Sequence, residues 1–388
     1  MLLLVQGAAL GATEMAAWSA LRQAVPASAL PALRTELERV YLPGQALERW
    51  FRFTPEAVWV RVGEEEQGLW LELPVEEDAT LAPRLPAPGP GDAPLLEGWR
   101  IAIDPGHLGG EWGEMERRAF RLGEGPVVRE GDLVLAAAKR MAAALRERGA
   151  EVRLLREGST PATDQRPADF FEEAFRDLLR ERGELPTREE VQRLAELRFY
   201  RLAEIRARAE LVAQWRPHVV LALHLNAEAW PDPEAPSAVP GNHGHLLVNG
   251  AYLPGEVAVP GQRRELLARW LARYSEVEVP LARALAKAME EATGLSPFRY
   301  RGPNAAAVGG SDYVWARNLL ANRIYPAPVV YLEPWVLNNG EVYAWAAEGD
   351  YAGERLIDGR SQRSLPAVYA QFVVEGLLRF AASRGDGE

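Results

Sequence analysis

Three short apolar runs, each ending in a titratable side chain, constrain this chain more than any other feature. They are RIAIDPGH at 100–107, VVLALH at 219–224 and VVYLE at 329–333. Runs of this length, rich in Val, Ile and Leu and without polar alternation, read as strands covered on both faces. Helical patterns separate them. GDLVLAAAKRMAAALRERG at 131–149 is amphipathic and stops at Gly149, where a residue free to adopt positive φ ends a helix. EVRLL at 151–155 predicts another strand, HLLV at 245–248 a further one, VPLARALAKAMEEATG at 279–294 a helix ending in Gly294, and SLPAVYAQFVVEGLLRFAAS at 364–383 a closing helix. Strands alternating with helices in this way predict an α/β fold, a mostly parallel or mixed sheet covered by helices on both faces.

The first part of the chain has another character. Leu30, Leu33, Leu37 and Val40 follow helical spacing, and VWVRV and LWLEL alternate around GEEEQG as a hairpin does. A stretch dense in Pro, Gly and Ala follows, EEDATLAPRLPAPGPGDAPLLEG. The predicted division is therefore a small α+β domain plus linker at 1–97 and a larger domain at 98–388. Within the latter, a charged helical insert occupies about 165–200 and breaks near Gly183 and Pro186. The N-terminus, MLLLVQGAALGATEMAA, reads equally as a buried element and as an atypical export signal, because no Lys or Arg precedes its apolar residues.

Composition removes several classes of function. A net charge of −11 lacks the basic excess that phosphate-backbone binding requires, so no nucleic-acid partner is expected. No apolar run reaches the roughly 20 residues that cross a bilayer, and no stable membrane insertion is expected. There is no cysteine, which excludes disulfides, thiol nucleophiles and Cys-ligated zinc together. Neither a Gly-x-Ser-x-Gly elbow nor a His-Glu-x-x-His helix is present. Any metal must be held by carboxylates and by the five histidines at 107, 218, 224, 243 and 245.

In open α/β sheets, sites form beyond the carboxyl ends of the strands. His107, His224 and Glu333 would meet at one rim if their strands are neighbours. Glu130 stands at the junction leading into the helix that follows the His107 loop. Two His and one Glu are a ligand set for catalytic zinc, and a carboxylate beside a metal-activated water can shuttle its proton. Each residue also has a bland reading. His224 alone is a core histidine, Glu130 alone a carboxylate favoured by the helix dipole, and Asp-Pro-Gly an ordinary turn. His243 and His245 are expected to flank the site or face solvent, with His245 a candidate substrate contact. His218 is expected to be exposed, Arg156 to be structural, and the Arg198–Arg208 helix to have a solvated face. Trp112 and Trp335 are candidates for stacking on substrate.

Four segments together carry a resemblance. IAIDPGHLGGEWG, REGDLVLAAAKRMAAALRERGAEVRLLRE, ALHLNAE and VVYLEPWVLNN resemble, in order, the motifs of the zinc-dependent N-acetylmuramoyl-L-alanine amidases. The resemblance spans about 100–384. It implies Zn2+ held by His107, Glu130 and His224, with Glu333 as the catalytic carboxylate. It also implies hydrolysis of the amide between N-acetylmuramoyl and L-alanine in peptidoglycan, an extracytoplasmic location and a possible protein activator. Leu108 departs from the family's usual Gly after the His, and the longer gap to Glu130 leaves Glu116 and Glu124 as rival ligands. The insert at about 165–200 is a candidate lid. The alternatives are a catalytically inactive peptidoglycan-binding module and a zinc peptidase that cuts the stem peptide.

Overall fold

The apolar runs are strands of one sheet. The computed structural model describes residues 11–64, 68–81, 85–86, 94–230, 232 and 236–384. The first ten residues, which carry most of the sequence read both as buried element and as export signal, lie outside these. In the N-terminal part, β1 (Val25–Pro26), β2 (Phe51–Phe53), β3 (Ala57–Arg61) and β4 (Trp70–Glu76) form a four-stranded sheet in the order β1-β4-β3-β2. The expected hairpin is β3 against β4, with Val60 opposite Leu71.

The larger sheet contains β5 (Arg100–Pro105), β6 (Glu151–Leu154), β7 (Val219–Leu223), β8 (His243–Val248), β9 (Ala306–Ala307), β10 (Val314–Ala316) and β11 (Val329–Glu333). Their order is β9-β10-β8-β11-β7-β5-β6. Strands β6, β5, β7 and β11 run parallel, and β8 runs antiparallel to β11. The sheet is mixed, as the α/β reading expects. Alternate residues of each strand enter different cores. Ile101, Ile103, Leu221, Leu223, Val330 and Leu332 pack with α1 (Glu130–Arg146), α6 (Ser275–Thr293) and α7 (Leu365–Ser383). Ala102, Val220, Ala222, Val329 and Tyr331 face the other way, toward Val212 of α4 (Glu204–Trp215). Both faces are apolar because both are covered.

The charged insert folds as α2 (Phe171–Arg182) and α3 (Arg188–Arg198), joined to α4 by a wide turn at Phe199–Ala203. Gly183 ends α2 at φ 74°, and Thr187 caps α3 by accepting from Glu190 N–H at 3.2 Å. Phe199 and Tyr200 are buried against Leu108, so the insert rests on the His107 loop. The N-terminal sheet packs on α5 (Pro260–Leu271), sharing one core with Tyr252, Leu266, Leu267 and Trp270.

Candidate metal centre

Neighbouring strands bring the predicted residues to one rim. Asp104 of β5 lies opposite Ala222 of β7, and Leu223 of β7 opposite Leu332 of β11. The chain positions that follow, His107, His224 and Glu333, therefore open on the same side. The antiparallel β8 starts where β11 ends, with His245 opposite Glu333. Close backbone approach makes this packing possible. A Cβ on Gly106 would lie 2.2 Å from the His224 ring, and one on Gly131 would lie 2.3 Å from Gly109 N. Neither position tolerates a side chain.

His107, Glu130 and His224 converge, each offering a ligand atom within 4.8 Å of the others. Glu130 Oε1 lies 3.6 Å from His107 Nε2 and 3.3 Å from His224 Nδ1. A tetrahedral zinc ion about 2.0–2.2 Å from each ligand holds neighbouring ligands about 3.3–3.6 Å apart. Both Glu130 distances match, and the two imidazoles, perpendicular at 5.1 Å between centroids, can present lone pairs to one point. The donor set fits the ion. Glu130 is also fixed from the His224 side, because Leu225 N–H donates to Oε1 at 3.0 Å. Burial works to raise its pKa, but His107, the contact with His224 and Arg118 hold it down to about 2. It is a permanent anion.

Of the two rival carboxylates, Glu116 enters the site on the far side of His107. Its Oε2 lies 3.0 Å from His107 Nδ1 and accepts from Leu108 N–H at 3.0 Å. The contact places the ring proton on Nδ1 and leaves Nε2 free to bind metal. Glu124 makes no contact with the triad among the described residues. His107 itself adopts φ 55°, so the turn after Asp-Pro-Gly bends at the histidine, and Leu108 is directed into the core against Phe199.

Glu333 lies in the same cavity as His107 and His224. Burial pushes its carboxyl up to about 7 against the pull of His224, and Glu130 adds to the rise. A carboxyl titrating near neutrality can both accept and return a proton. His224 is stacked on Tyr331 at 5.1 Å, and its carbonyl accepts from Tyr369 Oη at 3.0 Å. The cavity measures about 400 Å³ and is walled on one side by Tyr200 at the end of the insert, Arg201 of the turn that follows, and Ile205 and Arg208 of α4. The insert does not seal it, since the His107 and His224 side chains remain 19% and 17% exposed.

Other expectations meet a mixed outcome. Arg201 and Arg206 are exposed and give the Arg198–Arg208 segment its expected solvated face, but Arg208 is buried and pairs with Asp104 Oδ1 at 2.8 Å and Glu204 Oε1 at 2.8 Å. His218 is half-buried rather than exposed, with Nδ1 accepting from Arg100 N–H at 2.9 Å. Trp335 is packed against Trp345, Tyr369 and Phe372, and Trp112 against Phe199, so neither lines the cavity. His243 contacts Glu228 at 3.0 Å, while buried His245 contacts Tyr300 Oη at 3.0 Å. Arg156 is structural in a specific sense. Its guanidinium donates to the carbonyls of His107 at 2.6 Å and Gly131 at 3.2 Å, tying together the two loops that carry His107 and Glu130. The strand-end arginine was visible in the sequence, but the carbonyls it serves were not.

No curated protein matches the chain. Among solved structures, it is similar to the N-acetylmuramyl-L-alanine amidase Ami1 from Mycobacterium smegmatis, at 16% identity and TM-score 0.41, covering 74% of this chain and 99% of that one. It is similar also to the CwlD amidase from Clostridioides difficile, solved with the GerS lipoprotein, at 12% identity and TM-score 0.43, covering 74% and 100%. A third is AmiC2 of Nostoc punctiforme, at 14% identity and TM-score 0.38, covering 74% and 98%. The family profile described as N-acetylmuramoyl-L-alanine amidase matches residues 101–354, more than half of the 388 residues. By that match the chain belongs to the type 3 N-acetylmuramoyl-L-alanine amidases, enzymes that act on peptidoglycan.

Proposed function

We propose that the chain hydrolyses the amide between N-acetylmuramoyl and L-alanine with a zinc ion held by His107, Glu130 and His224, and with Glu333 as the catalytic carboxylate. The observation that carries this reading is the convergence of the three donors around Glu130 Oε1 at 3.3 and 3.6 Å, beside a carboxyl held near neutrality. Zinc bound there would polarise the scissile carbonyl and acidify water, from about 15.7 to about 7 in such sites. Glu333 is placed to take a proton from the attacking water and to return it to the nitrogen of L-alanine, which leaves poorly unless protonated. Glu116 keeps His107 in the tautomer that offers Nε2, and Glu130, ionised at all ordinary pH, balances part of the ion's charge.

The same proposal takes 98–388 as the catalytic unit, with the insert at about 165–200 as one wall of its cavity, and 1–97 as a separate segment that supports it. Because peptidoglycan lies outside the cytoplasm, the place of action is extracytoplasmic. The test is Glu333→Gln. The variant is expected to keep stoichiometric zinc while turnover of muramoyl-L-alanine substrates falls about 100- to 10,000-fold, the range of general acid–base catalysis. Undiminished turnover removes Glu333 from the reaction. Product analysis separates the amidase from a stem-peptide peptidase, since only the amidase frees the amino group of L-alanine.

A further inference from the structure

The cavity beside the triad holds more positive charge than its own structure requires. Four arginines line it: Arg118, Arg201, Arg208 and Arg317. Arg208 is committed to Asp104 and Glu204. Arg118 lies 3.8 Å from Glu130 Oε2. The remaining two have no carboxylate within ion-pair distance among the described residues. Arg201, exposed on the turn after α3, stands 5.6 Å from the centre of the Tyr200 ring. Arg317, half-buried after β10, donates to Tyr300 Oη at 3.3 Å, and its backbone N–H donates to Val248 O at 2.9 Å. One guanidinium therefore comes from the turn that joins the insert to α4 and the other from the end of β10, on elements far apart in sequence. Of the three acids that line the cavity, Asp104 is paired with Arg208 and Glu116 with His107, while Glu333 makes no ion pair with either arginine among the described residues and feels Arg317 only at longer range. A divalent cation at the triad would make the cavity more positive still.

A guanidinium presents a planar fork of donors suited to a carboxylate. Resting on the amidase reading above, we propose that Arg201 and Arg317 form a subsite for a free carboxylate of the stem peptide, that of the residue following L-alanine. In peptidoglycan this residue is a glutamate joined through its γ-carboxyl, so its α-carboxylate is free in some walls and amidated in others. It lies about two residues, roughly 7 Å, from the scissile nitrogen. The peptide thus enters on the insert side, and the insert sets a preference for the acid over the amide.

The experiment compares N-acetylmuramoyl-L-alanyl-D-glutamate, carrying a free α-carboxylate, with its α-amide, using the full-length zinc-loaded protein. The wild type is expected to favour the acid about tenfold in kcat/KM, the effect of one charge-assisted contact at a partly solvated site. Arg201→Ala and Arg317→Ala each bring this ratio toward one, chiefly through KM. Arg180→Ala, on α2 and outside the cavity lining, keeps the wild-type ratio and controls for net charge. Calorimetric binding of L-alanyl-D-glutamate against its amide provides a second readout, in which Arg201→Ala erases the difference. Equal treatment of the two substrates by the wild type, or equal losses on both in Arg201→Ala, overturns the subsite while leaving the amidase intact. Cleavage of neither substrate by the wild type overturns the amidase reading and the subsite with it.

Discussion

Each residue of the triad is held by a group that sequence spacing does not announce. Glu130 is locked by the amide of Leu225, one residue past His224, so a helix start and a strand end are joined through one oxygen. His107 depends on Glu116, which reaches it because the chain turns at Gly109 and Gly110, both at positive φ, and makes one helical turn at Trp112–Met115. Nothing periodic links positions 107 and 116, which is why Glu116 read as a rival ligand rather than as the partner of His107. Its part leads to a definite expectation. Glu116→Gln keeps the shape but offers an amide where the carboxylate stood, weakening the hold on the Nδ1 proton and lowering imidazole basicity. Zinc affinity is expected to fall about 10- to 100-fold, as losses of this kind do, while kcat at saturating zinc changes much less. Competition with a chromophoric chelator measures the affinity, and an unchanged dissociation constant would reduce Glu116 to a loop support.

At the scale of elements, legibility followed burial. The strands β5, β7 and β11 were readable because both faces are covered, giving uninterrupted apolar runs, and α1 was readable because its apolar stripe ends at a glycine. In the Arg198–Arg208 segment Arg201 and Arg206 form the solvated face the pattern suggested, but Arg208 is buried and pairs with Asp104 and Glu204, and a pattern count cannot tell it from its neighbours. The seam between the helix Leu30–Glu36 and α6 contains a half-buried carboxyl. Glu36 sits between Leu33 and Leu37, both fully buried, and accepts from Ser275 Oγ. Burial raises its pKa from 4.5 to about 7, even though the Ser275 bond and Arg273 pull it down. The sign follows directly. Well below pH 4.5 the carboxyl is protonated in both folded and unfolded chains, and its full contribution to stability is present. Between about 4.5 and 7 the unfolded chain releases its proton and the folded chain does not, so that contribution is lost as pH rises. The difference in unfolding free energy between Glu36→Gln and wild type should therefore grow in favour of the variant by about 2 kcal/mol from pH 4 to pH 8, allowing for partial exposure. Denaturant titrations at the two pH values measure it, and a pH-independent difference would show that Glu36 ionises freely.

At the scale of the molecule, the division near residue 97 marks a change of pattern, but the core crosses it. Trp18, Leu33, Leu37, Phe51, Val58, Val60 and Leu71 share one apolar cluster with Tyr252, Val257, Leu266, Leu267 and Trp270. The backbone is joined as well, since Ala251 N–H donates to Val40 O at 2.7 Å and Trp270 Nε1–H to Leu33 O at 3.0 Å. Arg263 of α5 is fully buried and reaches back to the carbonyl of Arg61 at 2.8 Å. An amphipathic helix announces that it has an apolar face, not which distant segment will cover it, so α5 could not be assigned its partner from sequence. The consequence is that 98–388, although it contains the triad, cannot stand as the full chain does. Removing the first segment uncovers Tyr252, Val257, Leu266, Leu267, Trp270 and Leu271, each contributing about 1.5–3 kcal/mol while buried. That sum is comparable to the whole stability of an ordinary domain, about 5–15 kcal/mol. The fragment 98–388 is therefore expected to be insoluble or to bind a hydrophobic dye, and to melt more than about 10 °C below the full chain. Added zinc should restore only part of the loss, because binding at the triad stabilises by the ratio of free ion to dissociation constant and covers no part of α5. A fragment that melts with the full chain would instead make the N-terminal sheet an appendage, and would leave its shared core without energetic weight.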